Sequence, residues 1–327
     1  TYFGVNQTAP SATLHVGSNS GTALFSMGSG TEIFKVTSPT NTSLFSMDAT
    51  NDKVTVNADV EIKGNLRRSS EKYYLEEFFD RRPSINEDLD DTDTEAEFIP
   101  ANKHFEVKGT NKTSALVDWG GAYAGIRLTT AGANNDQIII LPHLNQLRDS
   151  QYDTAWAGIL WGTENQVEWE CAITTDSSVA DYSFWAGLKL TEVPAYADDD
   201  DKAYFLFCSD DDHGALTTNA NLHFVYSVGG TDYITDLGLA VAVSTTYRLR
   251  IEIDSDRKVS VFVNDTQYGL VTSATAGGAT QSVSTTKSNT LTDNIDLIPY
   301  VGVQQMAGGK SSNLRLHYEK ISRILFE

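Results

Sequence analysis

The sequence has few cations, and that shortage limits which partners the protein can have. Its 24 lysines and arginines are outnumbered by 44 aspartates and glutamates, which gives a net charge of −20. Proteins bind nucleic acids and anionic membrane surfaces through clustered cations, so we expect neither as a partner. No stretch approaches the roughly 20 apolar residues that span a bilayer, so we expect no membrane insertion. The N-terminal residues also lack the basic and apolar regions of a signal peptide, which predicts a protein that is not exported.

Cysteine is scarce as well, and histidine is scattered. Cys171 and Cys208 cannot supply a disulfide framework for 327 residues, and no CxxC motif is present. Both lie in alternating apolar runs, so we predict reduced core residues, with a bridge between them as the alternative. The 6 histidines show no spacing typical of a zinc site. We therefore predict no metal site and no cofactor.

The sequence is rich in the residue patterns that are typical of β-strands. Val, Ile, Thr, Tyr and Phe recur in short runs that are cut by Gly, Asn, Asp and Ser, the pattern typical of strands and turns. Helical periodicity is confined to residues 71–79 and to a turn or two near 144–149. We predict an all-β chain in three parts: a repetitive β-stalk over residues 1–66, a short helix and acidic linker over 67–100, and a large antiparallel β-sandwich over 101–327.

The first part contains an internal repeat. The segment TALFSM at 22–27 returns as TSLFSM at 42–47, and further short strands are predicted at 32–36 and 53–56. A single strand of this length cannot bury its large apolar residues, but repeated units do so by stacking or by association of several chains. We therefore predict that the segment forms a trimer around a shared axis, a flexible arm being the alternative. The predicted trimer core consists of Leu24, Phe25, Phe34, Leu44, Phe45 and Val54.

A resemblance supports this prediction. The run FGVNQTAPSATLHV at 3–16 resembles the GIGTTxPSAxLHV stretch of phage tail fibres and related appendages, although it departs at Asn6 and Gln7, where that family has Gly and Thr. In the family an intertwined, usually trimeric β-stalk follows, which implies a homotrimer here. Residues 1–20 carry no Lys, Arg, Asp or Glu, so we expect them to dock on another virion protein, with residues 71–79 as the alternative contact. The predicted attachment residues are Tyr2, Phe3, Val5, Leu14 and Val16.

The third part has its own family resemblance. Residues 247–265 form a predicted hairpin in which Arg248, Arg250 and Glu252 alternate with apolar residues. This hairpin resembles those of concanavalin-A/laminin-G-like jelly rolls. The runs at 125–131, 137–142, 298–304 and 314–321 resemble the opening and closing strands of lectin-like domains in phage structural proteins. The resemblance implies a lectin-like head but transfers no functional residue.

Three groups of residues are candidates for chemistry in this head. Glycoside hydrolases of the same fold carry alternating carboxylates on one strand, and the nearest match is Glu252, Asp254 and Asp256. Because Asp-Ser-Asp is also ordinary turn chemistry, we interpret this match as a turn. The acidic clusters at 198–201 and 210–213 are possible calcium ligands that we interpret as solvated loops, and the acidic run at 86–97 fails the EF-hand pattern. The tryptophans 156, 161, 169 and 185 are predicted to fill the core rather than to form a sugar-stacking platform.

Two classes of function fit these observations. The first is a non-enzymatic fibre or decoration protein of a phage head or tail, with lectin-like heads on the virion surface and assembly in the host cytoplasm. Its partners are then copies of itself, other virion proteins and a host-surface glycan. The alternative is a carbohydrate-active enzyme, a glycan depolymerase, on the same fold.

Overall fold

The computed structural model describes about three fifths of the chain, and it divides the chain into two compact units, Thr1–Arg67 and Arg68–Glu327. The described residues are 32–37, 43–48, 53–56, 72–79, 85–86, 105–112, 116–119, 125–141, 161–190, 199–209, 216, 219–274, 278–307 and 309–325. This described part is all-β, apart from one 3-10 turn at Thr163–Asn165. It contains no helix with the length and apolar character needed to cross a membrane.

The first unit contains a three-stranded antiparallel sheet, formed by β1 (Glu32–Thr37), β2 (Ser43–Asp48) and β3 (Lys53–Val56). These strands lie where the repeat predicts them. Phe34 stands opposite Met47, and Phe45 stands between Val36 and Val56. Because residues opposite each other share a face, positions 34, 36, 45, 47, 54 and 56 line one face, all of them apolar.

The trimer-core candidates do not all occupy that face. Phe34, Phe45 and Val54 do, whereas Leu44 takes a register position on the opposite face. The candidates Leu24 and Phe25 lie outside the described residues. So do all the attachment candidates, Tyr2, Phe3, Val5, Leu14 and Val16.

The second unit is a β-sandwich, as predicted, made of a larger and a smaller sheet. The larger sheet is formed by β5 (Ile85–Asn86), β6 (Phe105–Lys108), β9 (Gln137–Leu141), β10 (Trp161–Gly162), β12 (Tyr182–Lys189), β13 (Lys202–Cys208), β14 (Asn221–Val228), β15 (Thr231–Ala240), β19 (Ala279–Thr280) and β20 (Asp296–Gln305). The smaller sheet is formed by β4 (Lys72–Glu77), β7 (Val117–Trp119), β8 (Ile126–Thr129), β11 (Glu168–Thr174), β16 (Thr246–Ile253), β17 (Val259–Val263), β18 (Thr266–Tyr268) and β21 (Asn313–Ile324). Most pairings are antiparallel, and the predicted hairpin is present as β16 and β17.

The helix predicted at 71–79 is wrong, because Lys72–Glu77 forms strand β4. The strand pairs antiparallel with the C-terminal β21, and Leu75 stands opposite Ile321. Tyr73 and Leu75 pack against the core of the sandwich, whereas Tyr74 is exposed. Glu, Lys and Leu favour a helix in isolation. In the folded chain, however, the segment pairs with β21 as a strand whose alternate side chains face the core, and this packing outweighs the helical propensity. The sandwich therefore begins before residue 101.

The core between the sheets is aromatic and aliphatic. Phe184, Phe205 and Phe224 enter it from the larger sheet, and Leu249 and Ile251 enter it from the smaller sheet. Cys171 is buried in the same cluster, whereas Cys208 belongs to a second buried cluster. Both cysteines are free thiols, as predicted.

Candidate functional site

The carboxylates that the sequence singled out on the β16–β17 hairpin have structural roles. Asp254 accepts hydrogen bonds from the backbone N–H groups of Asp256 and Lys258 and from the Lys287 ammonium at 2.7 Å. Partial burial raises the pKa of Asp254, but these hydrogen bonds outweigh it and hold the pKa below its usual value. These contacts close the turn, and so the interpretation of Asp-Ser-Asp as turn chemistry agrees with the structure.

The interpretation of the acidic cluster at 198–201 as a solvated loop is wrong for Asp199 and Asp201, which are buried and form contacts within the protein. Asp199 is buried and pairs with Lys189 at 3.6 Å. Asp201 accepts hydrogen bonds from the Gly229 N–H and the Thr292 hydroxyl. Across the described residues, no group of three or more His, Cys, Asp or Glu side chains is arranged to hold a metal ion. Residues 198 and 210–213 lie outside the described part.

The outer face of the larger sheet is where the fold most obviously offers a sugar platform, but this face is closed. Trp185, Tyr204 and Tyr300 lie together there and are at most 2% exposed. The Trp185 ring lies against Gly302, where an added Cβ would stand 2.7 Å from it. Lys189 stands over the Tyr300 ring, 5.3 Å from its centroid. Around β12, β13 and β20, where the structure describes it, this face is therefore a second core with its aromatic rings buried.

The other tryptophans are also core residues where the structure describes them. Trp161 and Trp169 are fully buried between the sheets, as the sequence predicted, whereas residue 156 lies outside the described part. The Trp169 indole donates a hydrogen bond of 2.8 Å to Glu319, which is 1% exposed. Burial raises the pKa of the Glu319 carboxyl to about 7, against the lowering effect of that hydrogen bond.

The sequence analysis did not identify Glu319 as an interior residue. Strand β21 carries a bulge, because Ala172 stands opposite Tyr318 while the next residue, Ile173, stands opposite Leu316. The extra residue, His317, shifts the alternation by one position. Glu319 therefore points inward. Without the bulge, the alternation counted from Leu316 would place Tyr318 inward instead.

The outer face of the smaller sheet is exposed, and charged side chains cover it. Glu168 stands opposite Glu252, and Glu170 stands opposite Arg250. Lys72 pairs with Glu168 at 3.6 Å, and Arg250 pairs with Glu252 at 3.0 Å. Burial raises the pKa of Glu252, Arg250 lowers it, and the neighbouring Glu168 adds to the increase.

A groove of about 190 Å³ lies on this face where β4, β21 and β11 run side by side. We call it the smaller-sheet groove; it is lined by Tyr74, Glu76, Glu168, Glu170, Lys320, Ile321 and Ser322. Tyr74 is 37% exposed, so part of this aromatic side chain is accessible beside carboxylate, ammonium and hydroxyl groups. Glu170 accepts a hydrogen bond from the Tyr318 hydroxyl and lies 3.8 Å from the Lys320 ammonium, which fixes its position.

The groove is not apparent from the sequence, because its residues come from three separated segments. Glu168 and Glu170 alternate outward on β11, and that alternation was visible in the sequence. Tyr74 was assigned to a helix, however, and Lys320 reaches this face only because of the bulge in β21. The sequence pattern therefore indicates the outward-facing groove residues on β11 alone, and not those on β4 and β21.

No protein-family model matches the sequence, and no curated protein matches it either. Among solved structures, the chain is similar to a protein of unknown function from Shewanella oneidensis MR-1, with a TM-score of 0.41, 12% identity, and coverage of 77% of this chain and 87% of that chain. It is also similar to the carbohydrate recognition domain of Emp46p in its potassium-bound form, with a TM-score of 0.39, 9% identity, and coverage of 67% and 88%. A glycosyl hydrolase family 16 protein from Mycobacterium smegmatis str. MC2 155 gives a TM-score of 0.40, 10% identity, and coverage of 76% and 98%. These similarities are weak and assign no activity to this chain.

Proposed function

We propose that the chain is a non-catalytic fibre or decoration protein of a bacteriophage virion that displays its β-sandwich as a glycan-binding head. The observation that carries glycan binding is the smaller-sheet groove. It combines an accessible aromatic ring, Tyr74, with carboxylates and an ammonium group in one open depression. Sugars need a ring face for their apolar C–H surface and a few fixed polar groups for their hydroxyls.

The repeat segment supports an oligomeric assembly in this proposal. The three-stranded sheet has apolar residues at positions 34, 36, 45, 47, 54 and 56 on one face. A sheet this small buries too little surface to be stable alone, so association of three chains around a common axis is the simplest way to cover that face. Residues 1–20 then attach the trimer to another virion protein, and the heads face outward on the particle surface.

The assembly is tested by sedimentation equilibrium of the full chain at micromolar concentration. We expect a trimer, and a chain of 35.8 kDa that sediments as a monomer would contradict it. Deletion of residues 1–66 is expected to leave a folded sandwich that is monomeric. A truncated chain that stays trimeric would show that the sandwich holds the assembly together.

The attachment end is tested separately on particles. Removal of residues 1–20 is expected to abolish occupancy while the trimer persists, with only mild salt dependence of binding for the intact chain, because the contacts are apolar. Undiminished occupancy would place the attachment elsewhere. Electron microscopy of labelled particles then shows whether the protein belongs to the head or to the tail.

A specific observation favours a glycan-cleaving enzyme as a second candidate. Glu168 and Glu252 stand directly opposite each other on β11 and β16, and directly opposite residues have Cβ atoms about 4.5–5.5 Å apart. Retaining glycosidases use two carboxyl groups about 5–5.5 Å apart, one of them with a raised pKa, and the pKa of Glu252 is raised.

The two candidates are separated by Glu252→Gln. We expect no polysaccharide to be cleaved by the unmodified chain in a reducing-end assay, and glycan binding to be retained in Glu252→Gln. Cleavage that disappears in Glu252→Gln but persists in Asp254→Asn would establish the enzyme instead.

A further inference from the structure

Strand β4 forms one wall of the smaller-sheet groove and lies beside the C-terminal part of β21. Within the described part of the chain it pairs with β21 alone, through six residue pairs that run from Lys72 opposite Ile324 to Glu77 opposite Glu319. Strand β21 is paired with β11 on its other side, so β4 can separate while the rest of the sheet stays intact. Elements held by so few contacts open locally at a lower free energy than the core of a domain.

The last residue pair of this ladder brings two carboxyl groups together. Glu77 stands directly opposite Glu319, and both continue the inward-facing alternation that Leu75 and Ile321 begin. Glu319 is 1% exposed and accepts a hydrogen bond of 2.8 Å from the Trp169 indole. Like charges directly opposite each other destabilise a sheet, so the pairing of β4 with β21 is favoured when one of the two carboxyls carries a proton.

Neutral and acidic groups face Glu319 inside the sandwich. Cys171 on β11 stands opposite it, and burial raises the pKa of this thiol, with the negative charge of Glu319 raising it further. The charged neighbours along the two strands, Glu170 and Lys320, lie on the outer face, 3.8 Å from each other. Within the described part, an ionised Glu319 therefore faces an indole donor, a thiol and the carboxyl of Glu77.

The backbone just after β4 is strained, and Glu77 helps to hold it. Phe79 is fully buried, its ring centroid lies 5.8 Å from that of Phe105, and its φ of 49° is unfavourable for a bulky residue. Its N–H donates to the Glu77 carboxylate at 2.7 Å, and its carbonyl accepts a hydrogen bond of 2.9 Å from the Trp119 indole. Strain of this kind persists only where the surrounding contacts enforce it, so opening of β4 relieves it.

The protonation of Glu319 sets the direction of the pH effect. Burial raises the pKa of Glu319 to about 7, the hydrogen bond from Trp169 lowers it, and the charge of Glu77 raises it. When β4 opens, Glu319 lies at a sheet edge and is hydrated, so its pKa returns toward the ordinary value of 4.5. The closed state therefore binds the extra proton, and its advantage over the open state declines as pH rises from about 4.5 to 7.

We propose that β4 is a pH-controlled latch, which stays paired with β21 while the Glu77–Glu319 pair carries a proton and opens more often when both carboxyls are ionised. Tyr74 and Glu76 line the smaller-sheet groove, so each opening removes part of the groove wall. Because β4 is the first strand of the second unit, its release also adds these residues to the chain that precedes the sandwich. The latch does not depend on glycan binding at the groove.

The test is hydrogen exchange of the full-length protein, detected by mass spectrometry at pH 6 and pH 8. Rates are divided by those of unstructured peptides, so that the chemical effect of pH cancels, and segments 72–79 and 247–263 are compared. Each measurement is repeated in urea below the unfolding transition, because urea accelerates exchange through global unfolding much more than exchange through a small local opening. The variants are Glu319→Gln and, as the control, Glu76→Gln, a carboxylate of the same strand that lies on the outer face opposite Lys320.

In the unmodified chain, we expect segment 72–79 to exchange faster than 247–263, to be nearly insensitive to urea, and to lose about tenfold in protection from pH 6 to pH 8. The loss is expected to fall below about twofold in Glu319→Gln and to persist in Glu76→Gln. Urea unfolding establishes that both variants are folded. Equal protection and equal urea dependence of the two segments would overturn the latch, because β4 would then open only with the whole sandwich. A tenfold loss that persists in Glu319→Gln, or no loss in the unmodified chain, would also overturn it.

Discussion

Strand β12 of the larger sheet is buried at every one of its positions, whereas β16 of the smaller sheet alternates between exposed and buried residues. The sequences carry this difference: YSFWAGLK is nearly continuous in apolar residues, whereas TYRLRIEI alternates. A strand covered on both faces needs apolar residues at every position, and a strand with one solvated face needs them only at every second position. This difference in burial distinguishes the outer faces of the two sheets. The larger sheet is a layer between two cores, and the smaller sheet presents its outer face to solvent.

The largest expected effect comes from a truncation on the closed face. Trp185→Ala removes a fully buried side chain from the second core, and large-to-small changes of this kind cost about 3–5 kcal/mol. Tyr74→Ala, on the open face, is expected to cost less than about 0.5 kcal/mol. The free energy of unfolding in urea measures both. If Trp185→Ala were as mild as Tyr74→Ala, the larger sheet would not have a second core.

The second effect depends on pH and concerns the core between the sheets. The pKa of Glu319 is about 7 in the folded chain and near the ordinary 4.5 when unfolded. Between these values the folded state binds the extra proton, so its stability falls as pH rises from about 4.5 to 7 and then stays at the lower level. The loss is on the order of 3 kcal/mol.

Glu319→Gln removes this titration but keeps an acceptor for the Trp169 indole. We expect the variant to unfold with nearly the same free energy as the unmodified chain at pH 4.5 and to be about 1–3 kcal/mol more stable at pH 8. Urea unfolding at the two pH values measures the difference. If the difference in unfolding free energy between the variant and the unmodified chain did not change with pH, Glu319 would not be a buried group that titrates in this range.

Glu319 also shows how far the sequence predicts the fold and where it stops. Continuous and alternating apolar runs predict the all-β sandwich, its central hairpin and the burial of Trp161, Trp169 and Trp185. They do not reveal the bulge at His317, because one inserted residue leaves the composition of β21 unchanged. The helix assigned to residues 71–79 was wrong for a related reason. The pairing of β4 with β21 joins segments more than 200 residues apart, and local propensity carries no information about it.

The third effect concerns binding at the smaller-sheet groove. Tyr74→Ala removes the exposed ring of the groove and is expected to weaken binding of a saccharide that the unmodified chain binds on a glycan array about tenfold, equivalent to about 1.4 kcal/mol. Val283→Ala is the control, because Val283 is also an exposed apolar residue but does not line the groove. Calorimetric titration of both variants decides the point. Equal losses of affinity would show that the groove has no specific role.

The smallest effect is expected at the turn of the β16–β17 hairpin. Asp254→Asn weakens the contacts with Lys287 and with the turn, and since Asn keeps an acceptor oxygen for the backbone N–H groups we expect a loss of less than about 1 kcal/mol. Affinity for saccharides is expected to stay within twofold, because Asp254 does not line the smaller-sheet groove. A large loss of binding in this variant would move the ligand surface toward the hairpin.

The most direct test of glycan binding on the open face is a cryo-electron microscopy map of the full-length protein with a saturating concentration of a saccharide that it binds on a glycan array. We expect ligand density on the outer face of the smaller sheet, in the groove beside Tyr74, with Trp185 and Tyr300 still packed in the second core. Density on the outer face of the larger sheet, with Trp185 or Tyr300 displaced by the sugar, would contradict it.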